Sequence, residues 1–312
     1  MQIISQLEEF KFRPDNANNS IALTLGNFDG VHLGHQALLK RVFRSAHSSV
    51  LITFSNHPGE ILRGTSPPRL TSLRHKLELL SQTDIGTLHK GTVVLLPFTR
   101  ELSQMSAEQF LEMIRLSIPF THLILGHDAH FGHERDGTQK KLSELGARMG
   151  FSIEHIQPVL VDNLPISSTR IRMCIEKGDL KEASRLLGRP FSIYGEVIAG
   201  LGLGKTLGFP TANIQLEGLT LPPFGVYAVT VHYDNITAEG IANLGIAPTL
   251  SDSSSPKLEV HLPNVQTSLY GKHLLVSFKA FIRQEQKFSS LEALKNQIQQ
   301  DILKTQRNFG VR

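Results

Sequence analysis

The residues able to do chemistry in this chain are gathered in short segments rich in glycine, histidine and hydroxyl side chains. In the first, Gly26-Asn27-Phe28-Asp29-Gly30 leads into His32-Leu33-Gly34-His35, directly after an apolar run and before a helical pattern. A helix N-terminus offers unsatisfied N–H groups and a positive dipole end, which favour phosphate. Two histidines beside it can donate hydrogen bonds to a phosphate whose charge builds during transfer, and Gly34 lets a phosphate approach the backbone. Read alone, H-x-G-H is equally a turn with two surface histidines. In the second segment, Pro165-Ile166-Ser167-Ser168-Thr169-Arg170-Ile171-Arg172, one hydroxyl serves as a helix cap. Three consecutive hydroxyls and two arginines exceed that need, and guanidinium matches phosphate geometry.

Gly200-Leu201-Gly202-Leu203-Gly204-Lys205 is a glycine-rich loop without the Gly-Lys-Ser/Thr context of a P-loop, and such loops also occur in plain β-hairpins. Gly208-Phe209-Pro210-Thr211-Ala212-Asn213 follows it at once. Thr211 and Asn213 point the same way on an extended segment and could hold a Mg2+–phosphate group. His127, His130 and His133 have a spacing that could suit zinc, or they are three loop histidines that bind no metal.

Strands and helices must bring these segments together. Ile21–Leu25, Val50–Phe54, Thr92–Leu96 and His122–Leu125 read as buried strands, with helical patterns at about 35–46, 71–82, 106–116 and 138–149. Ser106 and Gln109 fit a capping box. The alternation implies a parallel α/β sheet with right-handed crossovers. Each strand ends in a polar cluster, and ligands in open α/β sheets bind outside the carboxyl ends of strands; the clusters should converge on one cleft. Helical stretches follow from Ser168 to Lys177 and from Asp179 to Gly188. Beyond Arg189-Pro190 the pattern changes. Ile193–Ala199, Val226–Tyr233, Glu239–Leu244, Leu258–Leu262 and Leu274–Ile282 read as strands of a small antiparallel sheet or barrel, and a last helix starts near Ser289. The expected domains are 1–187 and 188–312.

With 312 residues the chain can bury two cores. Its net charge of +4 is spread among acids and forms no basic block or zinc-finger spacing, so no nucleic-acid partner is expected. Cys174 is the only cysteine, which excludes an intrachain disulfide, and it reads as a helix-face residue. No apolar run has the length of a membrane span and the N-terminus lacks a signal-peptide core, so neither a membrane nor export is expected, and the cytoplasm is the expected compartment.

A strand followed by H-x-G-H and a helix, with a late I-S-S-T-R segment, resembles the nucleotidylyltransferase superfamily. Gly26–His35, Thr53–Pro58, Ser103–Phe110, Gly126–Gly137 and Ile166–Arg172, in that order, are similar to the prokaryotic bifunctional riboflavin kinase/FAD synthetase family. The run from Gly200 to Asn213 resembles that family's kinase signature, extended by Ala242–Gly245, Pro248-Thr249, Glu259–Leu262 and Leu269–Lys272. The resemblance implies a doubly wound, Rossmann-like FMN adenylyltransferase domain, then a β-barrel riboflavin kinase domain ending in a helix. It implies ATP and Mg2+, with riboflavin, FMN and FAD as small-molecule substrates or products.

Carried onto this sequence, the resemblance makes His32 and His35 catalytic, and gives Gly26, Asn27, Phe28, Ser168, Thr169, Arg170 and Arg172 to ATP phosphates. His57, Pro58, Asp128 and Arg135 would bind nucleotide or flavin. In the kinase half, Gly200, Gly202, Gly204, Lys205, Gly208, Pro210, Thr211 and Asn213 would bind ATP, the last two with the metal. Arg283 would lie near the flavin, and Glu259 would accept the proton of the riboflavin hydroxyl. Without the resemblance Glu259 reads as a solvent-facing strand residue, since it alternates with Leu258 and Val260. FMN already carries an ionised phosphate, so adenylyl transfer needs positioning and charge stabilisation.

The pattern departs from the family at Ser55-Asn56, where an acidic residue is frequent, at Lys205, where arginine is common, and at Pro263–Ser268, which lacks the usual aspartates. Three other readings compete: a chain with one degenerate half, a flavin-binding regulator, and a nucleotidylyltransferase with another acceptor. Two sets of ATP-binding motifs and the kinase-like second half disfavour them.

Overall fold

The computed structural model describes residues 2–11, 20–82, 91–200, 204, 207–216, 218–246, 255–265 and 267–308. Gly202 and Lys205 lie outside them, as do Pro248-Thr249 and part of Pro263–Ser268. The chain divides into two compact units. Met1–Pro68 and Lys76–Ser167 form the first, and Arg69–His75 with Ser168–Arg312 the second.

The first unit is built on a six-stranded parallel sheet. Its strands are β1 (Gln2–Ile4), β2 (Ile21–Leu25), β3 (Ser48–Phe54), β4 (Gly91–Leu96), β5 (His122–Leu125) and β6 (Ser152–His155), in the order β1-β4-β3-β2-β5-β6. The chain winds outward from β2 to β3 and β4, then returns to place β5 on the other side of β2. That reversal is a topological switch point, where open α/β sheets bind ligands. β2 is apolar throughout and wholly buried, as a central parallel strand covered on both faces must be. Connecting helices are α1 (Leu33–Ser45), α2 (Pro58–Arg63), α3 (Leu73–Gln82), α4 (Arg100–Gln104), α5 (Ala107–Ser117) and α6 (Gln139–Met149). The expected capping box is present: Ser106 Oγ accepts from the Gln109 N–H, and Gln109 Oε1 accepts from the Ser106 N–H. A short hairpin, β7 (Leu160–Val161) with β8 (Leu164–Pro165), closes the unit.

The second unit opens with α7 (Ser168–Glu176) and α8 (Leu180–Leu187). A closed barrel follows, made of β9 (Ser192–Ile198), β10 (Thr211–Ile214), β11 (Gly225–Tyr233), β12 (Ile236–Ile246), β13 (Pro256–His261) and β14 (His273–Arg283), in the order β10-β13-β12-β11-β14-β9. The ladder from β9 to β10 completes the closure and leaves no open sheet edge. The segment Arg69–His75 joins this unit through main-chain bonds, Arg69 N–H to Gly218 O at 2.8 Å and Thr220 N–H to Arg69 O at 2.8 Å. The final helix α9 (Leu291–Asn308) is tied to the barrel by a buried ion pair, Arg283 to Asp301.

Candidate active sites

In the first unit the chain leaves β2 through Gly26 and Asn27 and turns at Phe28, Gly30 and Val31, all three with positive φ (52°, 81° and 40°). His32 then caps α1: its Nδ1 accepts the His35 N–H at 3.3 Å. An accepting Nδ1 makes the ring the neutral tautomer with its proton on Nε2, so His32 presents a donor at that nitrogen. The His32 and His35 rings stack, with centroids 3.6 Å apart and planes 15° from parallel, and Phe28 packs on His35 at 5.1 Å. A Cβ on Gly34 would press within 3.1 Å of the His32 ring, so glycine is what lets the stack form. His32, Phe28 and Asp29 are buried and His35 half-buried.

The neighbouring strand ends are fixed to this turn. Thr53 Oγ1 donates to the Asn27 carbonyl at 3.2 Å, and the buried Lys76 reaches Asn27, Thr53 and Phe54 together. Asn56 Nδ2 donates to the Phe98 carbonyl at 3.0 Å and its Oδ1 accepts the Phe98 N–H at 2.8 Å. The asparagine amide both donates and accepts here, which an ionised carboxylate at this position could not do. His57 Nδ1 caps α2 through the Gly59 N–H at 2.9 Å, with Pro58 in the first turn. After β5, Asp128 and Arg135 are exposed, and Arg135 has φ +60°. His133 is held by the Ser103 carbonyl at 3.2 Å and His127 lies 3.8 Å from Asp128. Among the described residues no group of three or more His, Cys, Asp or Glu could hold a metal.

In the second unit Ser168, Thr169, Arg170 and Arg172 occupy the first turns of α7. Arg170 Nη2 binds Glu182 Oε1 at 2.8 Å, and Arg185 binds the other oxygen of the same carboxylate at 2.9 Å, fixing α7 on α8. Cys174 on α7 is half-buried, and burial with the nearby Glu182 and Asp179 raises its thiol pKa, the reverse of an activated nucleophile.

The barrel assembles a polar row. Pairing of β10 with β13 sets Asn213 opposite Glu259 and Thr211 opposite His261, and pairing of β12 with β13 sets Asn243 on the other flank of Glu259. Val226 of β11 continues the row to Arg283 of β14. Leu258 and Val260, 0% and 1% exposed, face the core, so alternation turns Glu259 to the opposite face. Glu259 is nevertheless half-buried, and its carboxyl pKa is raised, mainly by burial and further by Glu285, against the opposing pull of Lys257. Glu285 accepts from Asn243 Nδ2 at 3.5 Å and occupies the space a side chain at Gly245 would need. His261 binds the Pro210 carbonyl at 2.9 Å and packs edge-on against Phe209.

Gly200 and Gly204 lie against this row. A Cβ on Gly200 would collide with the Asn213 amide, and one on Gly204 would come within 3.2 Å of Thr211 Oγ1. Gly204 also accepts the Phe209 N–H at 2.8 Å. Gly208, at φ +87°, is exposed. Thr211 and Asn213 thus stand as hard oxygen donors with the backbone of Gly204 and Gly200 close by, a donor set suited to Mg2+ with phosphate. Arg283 is already engaged: Nε and Nη2 bind Asp301 Oδ2 at 2.8 and 2.7 Å, and Nη1 binds the Gln284 carbonyl at 2.9 Å.

The motifs of the sequence reading leave out Lys76 and Glu285 and pass over Asn243 and His261 as site residues. Asn243 and His261 could have been found, because each falls on the Glu259 face by strand alternation. Lys76 carried no signal, being 49 residues from the carbonyl it binds.

A riboflavin kinase family model matches residues 187–309 and an FAD synthetase family model residues 15–170. A Pseudomonas fluorescens protein named bifunctional riboflavin kinase/FMN adenylyltransferase is 38% identical over 97% of this chain and 96% of the relative. One of the same name from Escherichia coli K12 is 37% identical over 93% of each. A solved Streptococcus pneumoniae structure, described as a macrolide-efflux protein, superposes with a TM-score of 0.80 at 27% identity, covering 97% of this chain and 98% of that one. Among the described residues of the present chain, no helix is long and apolar enough to cross a membrane. The stacked histidines on α1 and the Asn213–Glu259–Asn243 row thus lie in a chain whose halves match both models, and the chain belongs to the bifunctional riboflavin kinase/FMN adenylyltransferase family.

Proposed function

We propose that this protein phosphorylates riboflavin with ATP to give FMN and ADP, and then transfers AMP from a second ATP to FMN, giving FAD and diphosphate. The observation that carries the reading is Glu259, a half-buried carboxylate of raised pKa standing across the β-ladder from Asn213 and three strands along the barrel from the fixed cation Arg283. Glu259 takes the proton of the ribityl hydroxyl as that oxygen attacks the γ-phosphate. Gly200, Gly202, Gly204, Lys205, Gly208 and Pro210 enclose the nucleotide. Thr211 and Asn213 hold Mg2+, which when bound offsets phosphate charge. Arg283, clamped by Asp301, borders the flavin end as an immobile cation.

In the adenylyl-transfer half, His32 and His35 donate to the oxygens that gain charge, and Gly26, Asn27 and Phe28 supply the turn that cradles the phosphates. Ser168, Thr169 and Arg172 contribute further phosphate contacts. Arg170, committed to Glu182, serves by keeping α7 in place. His57, Pro58, Asp128 and Arg135 bind nucleotide or flavin. The partners in this reading are small molecules rather than nucleic acid, and the demand for ATP places the reaction in the cytoplasm. The domains of this reading are 1–187 and 188–312.

Chromatography of purified protein with ATP and Mg2+, started in parallel from riboflavin and from FMN, tests it. FMN followed by FAD in the first reaction, and FAD in the second, is the expected result. Flavin retained without any product would return the reading to a flavin-binding regulator.

A further inference from the structure

We propose that Lys76 is a positioning residue for adenylyl transfer: it pins the Asn27–Phe28 peptide so that the Phe28 N–H is held ready for a phosphate oxygen of ATP. The proposal rests on the phosphate-binding role given above to Gly26–Phe28. Lys76 lies in the first turns of α3 and is 6% exposed. Its Nζ donates to the Asn27 carbonyl at 3.1 Å, Thr53 Oγ1 at 3.1 Å and the Phe54 carbonyl at 3.0 Å. An ammonium has three N–H donors, and these oxygens meet all of them. The Asn27 carbonyl also accepts from Thr53 Oγ1 at 3.2 Å, so both of its lone pairs are taken. Rotating that peptide would break two hydrogen bonds at once.

A planar trans peptide points its C=O and the following N–H in opposite directions. With the Asn27 carbonyl on Lys76, the Phe28 N–H faces away from the ammonium. That N–H has no acceptor among the described residues although Phe28 is only 1% exposed, whereas nearly all buried backbone N–H groups are paired. Phe28 also sits at φ +52°, a region costly for a residue with a Cβ. Such strain persists where the surroundings over-determine it, and it concentrates at functional sites. A pinned carbonyl, a strained residue and an unmet donor therefore meet at one peptide, two residues past the end of β2 and just before the α1 N-terminus. Lysine, with three donors at the end of a long stem, ties together three oxygens from two strand ends, which an apolar side chain filling the same space could not do.

The test uses Lys76→Met and Lys76→Arg in the full chain. Lys76→Met is expected to phosphorylate riboflavin at the unmodified rate, which shows that the second unit is intact, and to keep the circular dichroism and the two unfolding transitions of the unmodified protein, which shows that the first unit folds. Its kcat for FMN adenylylation should drop about 10²-fold, the loss typical of one transition-state donor, with KM for FMN within about twofold. Lys76→Arg, which keeps a cationic donor, should recover about tenfold of that loss. If Lys76→Met fails to fold, Thr53→Val removes one of the two bonds to the Asn27 carbonyl and should show the same kcat-specific loss at smaller size. An unchanged kcat, a change in KM alone, or parallel loss of both reactions overturns the positioning role.

A second readout does not depend on turnover. In protein labelled with 15N-phenylalanine, the Phe28 amide, assigned by its disappearance in Phe28→Leu, should move on addition of Mg2+–ATP, and should stay in place in Lys76→Met. An amide that ignores ATP, or that moves equally in both proteins, overturns the proposal. An unmodified chain that makes no FAD, yet whose Phe28 amide responds to ATP only when Lys76 is present, would instead count against the adenylyl-transfer reading.

Discussion

Glu259 and Asn213 face each other across the β10–β13 ladder, on the sheet face opposite the buried Leu258 and Val260. The pairing puts a proton acceptor beside an amide that lies against Gly200, and the register of one antiparallel pair sets their spacing. Glu259→Gln keeps the shape and removes the acceptor. Riboflavin phosphorylation should fall by at least about 10²-fold, the range for loss of a general base, while conversion of FMN to FAD stays within twofold. Product analysis from both starting flavins is the measurement, and equal loss of the two reactions in a folded variant would refute the separation of sites.

Much of this arrangement was legible in the sequence because it depends on local rules. Ile21–Leu25 and His122–Leu125 are apolar runs bounded by polar clusters, and the strands end where the runs end. Ser106 and Gln109 declare a helix start through a side-chain contact three residues long. Other elements had no local signal. Gln2–Ile4 is an edge strand that exists by pairing with β4, some 90 residues away, and Thr211–Ile214 forms a short strand because β9 and β13 flank it. Roles were harder to read than positions. Arg283 and Arg170 carry the charge expected of ligand contacts, but a sequence cannot show that Asp301 and Glu182 already hold them.

His32 has two possible jobs, and they separate cleanly. As the residue before α1, its ring caps the helix through Nδ1; as a reactant it offers Nε2. Asparagine is an excellent helix cap but cannot reproduce a protonated ring nitrogen. His32→Asn should therefore melt within a degree or two of the unmodified protein, while FMN adenylylation drops about 10²-fold and riboflavin phosphorylation is retained. A full rate of FAD formation would reduce His32 to a cap.

Asp301 is 1% exposed, with Arg283 on one carboxylate oxygen and Gln297 Nε2 on the other at 2.9 Å. Removing one member of a buried pair strands the other charge and typically costs 3–5 kcal/mol; because Arg283 keeps some exposure, about 3 kcal/mol is expected for Asp301→Ala. The double variant Arg283→Met with Asp301→Leu should recover most of that loss, since an apolar pair of similar volume avoids the desolvation of both charges. Urea unfolding of the singles and the double closes the cycle. If the single variants cost less than about 1 kcal/mol, α9 is held by other contacts.

His75 sets an acid limit on the second unit. Its ring is 2% exposed, packs on Tyr194 with centroids 5.8 Å apart, and has no hydrogen-bond partner at Nε2 among the described residues. Burial, with a smaller contribution from the charge of Arg189, lowers its pKa from 6.5 to about 3. The folded chain therefore refuses a proton that the unfolded chain takes up below pH 6.5. The stability that a neutral His75 provides is complete above that pH, and is lost progressively as the pH falls towards 3. At about 1.4 kcal/mol per pH unit, a drop to pH 5 removes on the order of 2 kcal/mol through this residue. His75→Leu fills the same apolar site without titrating, so its loss of stability between pH 7 and pH 5 should be smaller than that of the unmodified protein by about this amount. Urea unfolding at the two pH values measures the difference. Identical losses in the two proteins would mean that the folded chain protonates His75 without penalty, and the acid sensitivity would have to arise at another group such as the half-buried His155, whose pKa is also lowered by its burial.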